Sequence, residues 1–211
     1  MNGERWDAAA RRSGGAAVVI GVDEAGRGPL AGPVVVAAVA LPKVPSARLR
    51  TVRDSKLMTS MGRERLFGVI RRQAAAVSVA WAHPPVIDRD NILRATLDAM
   101  GRAARRAARR AGVSPVLVLV DGPRRIPAFE LSQEAVVDGD AKSLSVAAAS
   151  VVAKVVRDRW MTRFERRYPG YGFSRHKGYG TKAHRSALAR LGPCPAHRRS
   201  FAPVSAAEAR A

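Results

Sequence analysis

Cysteine is almost absent from this chain. Cys194 is the only one, so no internal disulfide can form and no thiolate zinc site can be built. Long apolar runs are missing too. The longest lies within residues 34–41 (VVVAAVAL), far short of a bilayer span. The opening stretch MNGERWDAAARRSGG lacks the apolar core of a secretory signal. These absences predict a soluble cytoplasmic protein with no membrane contact. Aromatics make up only 5% of the sequence, which leaves Ala, Val and Leu to fill the core.

Acidic residues are scarce as well. Seventeen Asp and Glu face 37 Lys and Arg, a formal net charge of +20 over 211 residues. Such an excess attracts polyanions, and nucleic acid is the commonest one in the cytosol. A merely Arg-rich, solvated surface is the plainer alternative. The length is enough for one domain with a real core.

Hydrophobic patterning predicts one α/β unit. Residues 1–15 read as a flexible leader, 16–203 as a single domain and 204–211 as a frayed tail. Within the domain, residues 16–22 (AAVVIGV) and 34–41 read as strands, joined as a hairpin across the Gly- and Pro-rich loop 24–33 (EAGRGPLAGP). A helix over 61–75 and a strand over 77–82 follow. A helix over 91–112 carries Arg102, Arg105, Arg106, Arg109 and Arg110 as one stripe. That stripe fits a solvated face or a phosphate-contacting one equally well. Residues 115–120 (PVLVLV) read as a central strand and 134–137 as a short one. Then come a long helix over 142–167 and a last one over 181–191. Alternating strands and helices predict a mixed β-sheet flanked by helices.

Because acids are few, their placement is informative. Asp23 and Glu24 stand where the first strand meets the glycine loop, Asp121 at the end of the central strand, and Asp140 just before the long helix. Carboxylates gathered at sheet ends repel one another, and hard divalent cations such as Mg²⁺ or Mn²⁺ relieve that repulsion. Each acid also has an ordinary explanation. Asp121 before Gly122 suits a turn, Asp140 suits a helix cap, and Asp23 and Glu24 can pair with arginines. Two further features stand nearby. Gly26-Arg27-Gly28 allows a close backbone approach to a sugar or phosphate, or simply a tight turn. In FSRHKGYGT at 173–181, Tyr179 can stack on a nucleotide while Lys177 meets a phosphate; an ordinary polar loop with a packed Tyr fits as well.

Seven segments in order resemble the type 2 ribonucleases H, the ribonuclease HII family. They are DEAGRGPLAGPV at 23–34, DSK at 54–56, NIL at 91–93, VDGP at 120–123, GDAKSLSVAAASVVAKVVRDR at 139–159, HKGYGT at 176–181 and HRRSFAP at 197–203. The resemblance implies a ribonuclease H-like fold with a C-terminal helical extension. It implies that Asp23, Glu24, Asp121 and Asp140 hold two divalent metal ions, Mg²⁺ or Mn²⁺. The substrate would be an RNA/DNA hybrid, or duplex DNA holding single ribonucleotides. The enzyme would cut 5′ to a ribonucleotide and leave 3′-hydroxyl and 5′-phosphate ends. The same resemblance implies that the backbone of Gly26, Arg27 and Gly28 reads the 2′-hydroxyl and that Tyr179 stacks on the sugar. Lys56 and Lys177 complete the substrate-contacting set, and a monomer is the family default.

One departure matters. The position before Gly139 is commonly basic in the family and is Asp138 here; Asp140 is assigned as the ligand from its place before Ala141-Lys142-Ser143. Asp158 reads as structural, held by arginines. A non-catalytic basic nucleic-acid-binding protein would fit the charge but not the ordered acids. Another two-metal nuclease of the same fold would not need the glycine loop or Tyr179. The sister type, ribonuclease HIII, carries an extra N-terminal domain in its known members; with about 16 residues ahead of the first strand, that type is disfavoured.

Overall fold

The computed structural model describes residues 3–52 and 58–209. In chain order the elements are α1 (Gly3–Ser13), β1 (Val18–Ala25), β2 (Val34–Ala40), a 3₁₀ turn (Leu49–Thr51), α2 (Ser60–Gln73), β3 (Ala76–Ala82), α3 (Pro84–Asp90) and α4 (Ile92–Ala111). There follow β4 (Val116–Asp121), β5 (Ser132–Val136), α5 (Gly139–Lys142), α6 (Leu144–Arg167), α7 (Phe173–His176), α8 (Lys182–Leu191) and α9 (Ala202–Glu208). The five strands form one mixed sheet in the order β3-β2-β1-β4-β5. β1 runs antiparallel to β2 and parallel to β4. The hairpin and the α/β mixed sheet expected from the sequence are therefore present.

Alternation along the strands sends side chains to two separate cores. Ile20, Val22, Val36, Ala38, Val118 and Val120 meet α4 on one face. Ala37 and Val39 meet α6 and α2 on the other. Small residues replace aromatics, as the composition demands. Ala99, Ala103 and Ala107, four apart on α4, are fully buried and let the helix close on the sheet. Each buried Val contributes roughly 1.5–2 kcal/mol. Gly21 has a sharper role: a Cβ there would lie 2.1 Å from the Ser145 carbonyl carbon. Only glycine lets α6 cross β1 so closely, and Asp23 points to the same side two residues later.

Several readings are corrected. The strand read as central, β4, lies second from the edge, and β1 is the middle strand. An uninterrupted apolar run marks burial on both faces and does not distinguish the two positions. The stretch read as a leader forms α1 over residues 3–13. It is held by buried Asp7, which accepts hydrogen bonds from the Ser143 hydroxyl (2.5 Å), the Ser145 N–H (2.9 Å) and the Ser145 hydroxyl (2.8 Å). The tail read as frayed carries α9, pinned by fully buried Val204. The long helix is continuous but starts at Leu144, two residues later than expected: Ser143 is extended (φ −112°, ψ 128°) and caps α6 by accepting the Val146 N–H. Asp140 therefore sits within the separate turn α5 rather than at the cap.

The C-terminal extension is also present. Helices α7 and α8 build a small core of Met161, Tyr171, Phe173, Ala187, Cys194 and Ala196 against Ala31. Backbone bonds tie this extension to the glycine loop: Leu30 N–H to the Gly178 carbonyl (2.9 Å), Gly32 N–H to Ala196 (2.8 Å) and Arg198 N–H to Leu30 (2.9 Å). Among the described residues no helix is long and apolar enough to cross a membrane.

Candidate active site

Asp23 and Glu24 lie inside β1, opposite Ala37 and Val36 of β2. They belong to the strand itself, not to the loop after it, so the sheet ladder fixes their backbone. Val22 pairs with Val120 on parallel β4, which brings Asp23 level with Asp121 on the neighbouring strand. A cavity of about 210 Å³ opens there, lined by Asp23, Glu24, Gly26, Asp121, Ser150 and Tyr179, with Lys154 and Arg157 of α6.

The acids are electrostatically strained. Asp23 is only 5% exposed, and burial pushes its carboxyl well above the usual carboxylate range. The charges of Glu24 and Asp121 push the same way, against a hydrogen bond from Ser150. Glu24 is raised too, first by burial, with Asp121 adding to the rise and Arg27 opposing it. Arg27 Nη1 stands 3.5 Å from Glu24 Oε1 with half its side chain in solvent, too exposed to cancel that strain. Asp121 Oδ1 accepts the Gly139 N–H at 2.8 Å. This bond ties the cavity to α5 and puts Asp140 one residue away, although its side chain does not line the cavity. Among the described residues, no three acidic, histidine or cysteine side chains already form a closed metal cage. The donor chemistry nevertheless fits a hard cation: Asp23, Glu24 and Asp121 are oxygen donors under mutual repulsion, which positive charge relieves.

The two glycines of the loop differ. Gly26 has φ +95°, and a Cβ there would sit 1.8 Å from Arg157 Nε, so the fold itself requires glycine. Gly28 lies outside the left-handed region, and a Cβ there would meet nothing within 4 Å. The packing of the fold therefore makes no demand for glycine at position 28. Tyr179 is 47% exposed at the cavity mouth, with the Arg157 guanidinium 5.9 Å from its ring centre. Its N–H donates to the His176 carbonyl (3.0 Å) and its carbonyl meets His184 Nδ1 (2.9 Å). The ring is thus presented by a fixed backbone.

Other expected residues lie elsewhere. Lys177 lines a neighbouring groove with Arg159, Arg163 and Arg166, not the acid cavity. Lys56 and the rest of DSK lie outside the described residues. The arginine stripe largely binds its own protein: Arg102 donates to the Trp81 carbonyl, Arg110 to Val77, and Arg105 pairs with Glu130. Asp158 is held by Lys154 at 2.8 Å, a lysine where arginines were expected. Ser150, Lys154 and Arg157 were missed. Their spacing of four and three on the otherwise apolar stretch 146–157 of α6 is the signal, one polar stripe turned to the cavity.

The family model for Ribonuclease HII matches residues 20–204. The chain belongs to the ribonuclease HII family. It is accordingly an endoribonuclease of the ribonuclease H kind. Ribonuclease HII of Geobacter metallireducens is 52% identical over 183 residues, covering 87% of this chain and 83% of that protein. Among solved structures, the ribonuclease H2 of Pyrococcus horikoshii OT3 superposes with a TM-score of 0.77 at 28% identity, over 92% of this chain and 98% of that one. Bst-RNase HIII, solved in complex with Mn²⁺, shares the fold with a TM-score of 0.76 at 20% identity, over 92% of this chain and 70% of its own.

Proposed function

We propose that this ribonuclease HII hydrolyses the RNA strand of RNA/DNA hybrids and nicks 5′ to ribonucleotides embedded in duplex DNA, leaving 3′-hydroxyl and 5′-phosphate ends. It acts as a cytoplasmic monomer in the excision of ribonucleotides from DNA. The observation that carries this reading is the shared cavity. Strained carboxylates, Gly26 of the glycine loop and an exposed tyrosine line it, with the unobstructed Gly28 two residues further along the same loop.

Asp23, Glu24 and Asp121, with Asp140 from α5, would hold two divalent ions, Mg²⁺ or Mn²⁺. Asp138, which is exposed, is not part of this set. When bound, such ions supply Lewis-acid activation of the attacking water and neutralise the leaving 3′ oxygen. The chain's own residues do the rest. Asp121, anchored by the Gly139 N–H, and Asp23, anchored by its strand, keep the donor oxygens where the ladder puts them. The backbone of Gly26, Arg27 and Gly28 meets the ribose 2′-hydroxyl, which can both donate and accept. Tyr179 stacks on the sugar at the junction. Lys177 and the arginines of its groove, joined by Lys56, contact phosphates without reading sequence.

The test is cleavage of a duplex holding one ribonucleotide, with products mapped to the base in Mg²⁺ and in Mn²⁺. A single cut 5′ to the ribonucleotide, none in chelator and none in all-DNA duplex is expected. Cleavage of all-DNA duplex, or cutting 3′ to the ribonucleotide, would overturn the reading.

A further inference from the structure

Arg198 is fully buried, although a guanidinium is among the most expensive groups to take out of water. Among the described residues its hydrogen bonds all go to backbone carbonyls and none to a carboxylate. Nε donates to Gly32 (3.0 Å), Nη1 to Arg27 (2.7 Å) and Nη2 to Gly26 (2.6 Å). The Phe201 ring lies 5.2 Å from its guanidinium carbon, and its own N–H is bonded to Leu30. A buried cation thus spends its donors on the inner side of one loop.

Peptide geometry says what this does. The only cis peptide bond among the described residues is Ser114–Pro115, so those around Arg27 are trans. In a trans peptide the C=O and the N–H point in opposite directions. The Gly26 carbonyl shares its peptide with the Arg27 N–H, and the Arg27 carbonyl shares its peptide with the Gly28 N–H. Pulling both carbonyls inward turns both N–H groups outward. Residues 27 and 28 are exposed, and among the described residues neither N–H has an internal acceptor.

We infer that Arg198 is a positioning residue for ribonucleotide recognition, holding the Gly26 and Arg27 carbonyls inward so that the Arg27 and Gly28 N–H groups face the substrate sugar. This rests on the proposed role of the loop in sensing the 2′-hydroxyl. Arg198 touches no substrate itself. Lysine carries the same charge on a single ammonium and cannot reproduce the planar fork that spans adjacent carbonyls. The loop in such a variant keeps its sequence and its glycines but loses its fixed orientation.

The test uses the full chain in the Asp121→Asn background, so that substrate is bound but not cut. Affinity is measured for two duplexes that differ only in one ribonucleotide. The background should prefer the ribonucleotide duplex, and Arg198→Lys should cut that ratio by about tenfold, the scale of one or two lost hydrogen bonds. A purely structural role would lower both affinities together and leave the ratio intact. That outcome, or an unchanged ratio, overturns the inference while the proposed function stands. No preference in the background itself would sink the loop reading and the inference with it. Should lysine prevent folding, Arg198→Gln, which keeps a single donor nitrogen and no charge, is read by the same ratio.

Discussion

On one side of the cavity Asp23, Glu24 and Asp121 push each other's charge away; on the other, every carbonyl of the loop at residues 26 and 27 already has a partner. The acid wall is held by strand pairing but is electrostatically incomplete, with burial and like charge both raising Asp23. The loop wall is complete on its inner side, satisfied by Arg198, and open only on its outer side. A strained carboxylate set favours cations, whereas a pair of outward N–H donors favours an acceptor oxygen, that of a sugar hydroxyl or of a phosphate. On the proposed function, catalytic charge and substrate recognition would be carried by separate elements, β1 and β4 for the first and the β1–β2 loop with the C-terminal extension for the second.

The largest effect that separates the walls is on the acid side. Asp121→Asn should lower the single-ribonucleotide cleavage rate by about a thousandfold, the scale of losing a principal electrostatic contribution, while hybrid binding persists in a gel-shift assay. Stability should move the other way. Because the folded pKa of Asp23 is raised, its ionisation opposes folding as pH rises above the ordinary carboxylate value. In metal-free buffer at pH 7, Asp23→Asn should therefore raise Tm by about 2–4 °C. A fall in Tm would mean that the wall is not strained.

Next comes the pair of glycines. Gly28→Ala should keep its Tm, because its Cβ meets open space, yet lose about a hundredfold in cleavage, since small misplacements of substrate carry penalties of that size. Gly26→Ala should instead lose stability, by roughly 2–4 kcal/mol, through left-handed strain and collision with Arg157. Equal loss of Tm in both would erase the distinction drawn between them. Tyr179→Ala, a smaller change, should slow cutting at a single ribonucleotide by about tenfold, the worth of one stacked ring. An unchanged rate would remove the stacking role.

Much of this was legible in the sequence. Valine- and alanine-rich runs gave the strands, glycine and proline the loop, and the order of motifs the family. Three things were not. Asp23 and Glu24 belong to the strand because β2 pairs beyond the apolar run, and pairing partners are not visible locally. The short α1 is held by one buried carboxylate on the cap of α6, a contact between residues 136 and 138 positions apart that periodicity cannot express. Arg198 reads as one more surface cation in a chain with 37; only its three carbonyl partners reveal it. The polar stripe Ser150, Lys154 and Arg157 was readable at helical spacing, but its meaning needed the strand beneath.

The smallest expected effect is in the C-terminal extension. His197 is buried against His184 (Nε2 to Nε2, 3.1 Å), and burial first, then the His184 charge, lowers it to about 4 from its ordinary 6.5. The folded chain therefore binds fewer protons there than the unfolded chain between those values, and stability should fall as pH drops through that window. A Tm profile should show this loss in the native chain and less of it in His197→Gln. An identical acid slope in both would remove the histidine from the account.

The central claim is that the acid wall is completed by cations, and thermal unfolding with Mn²⁺ added tests it most directly. Binding to the folded state alone raises Tm with concentration. Tm should climb steadily with Mn²⁺ in the native chain and hardly at all in Asp23→Asn combined with Asp121→Asn. A native Tm indifferent to Mn²⁺, or an equal rise in the double variant, would contradict it.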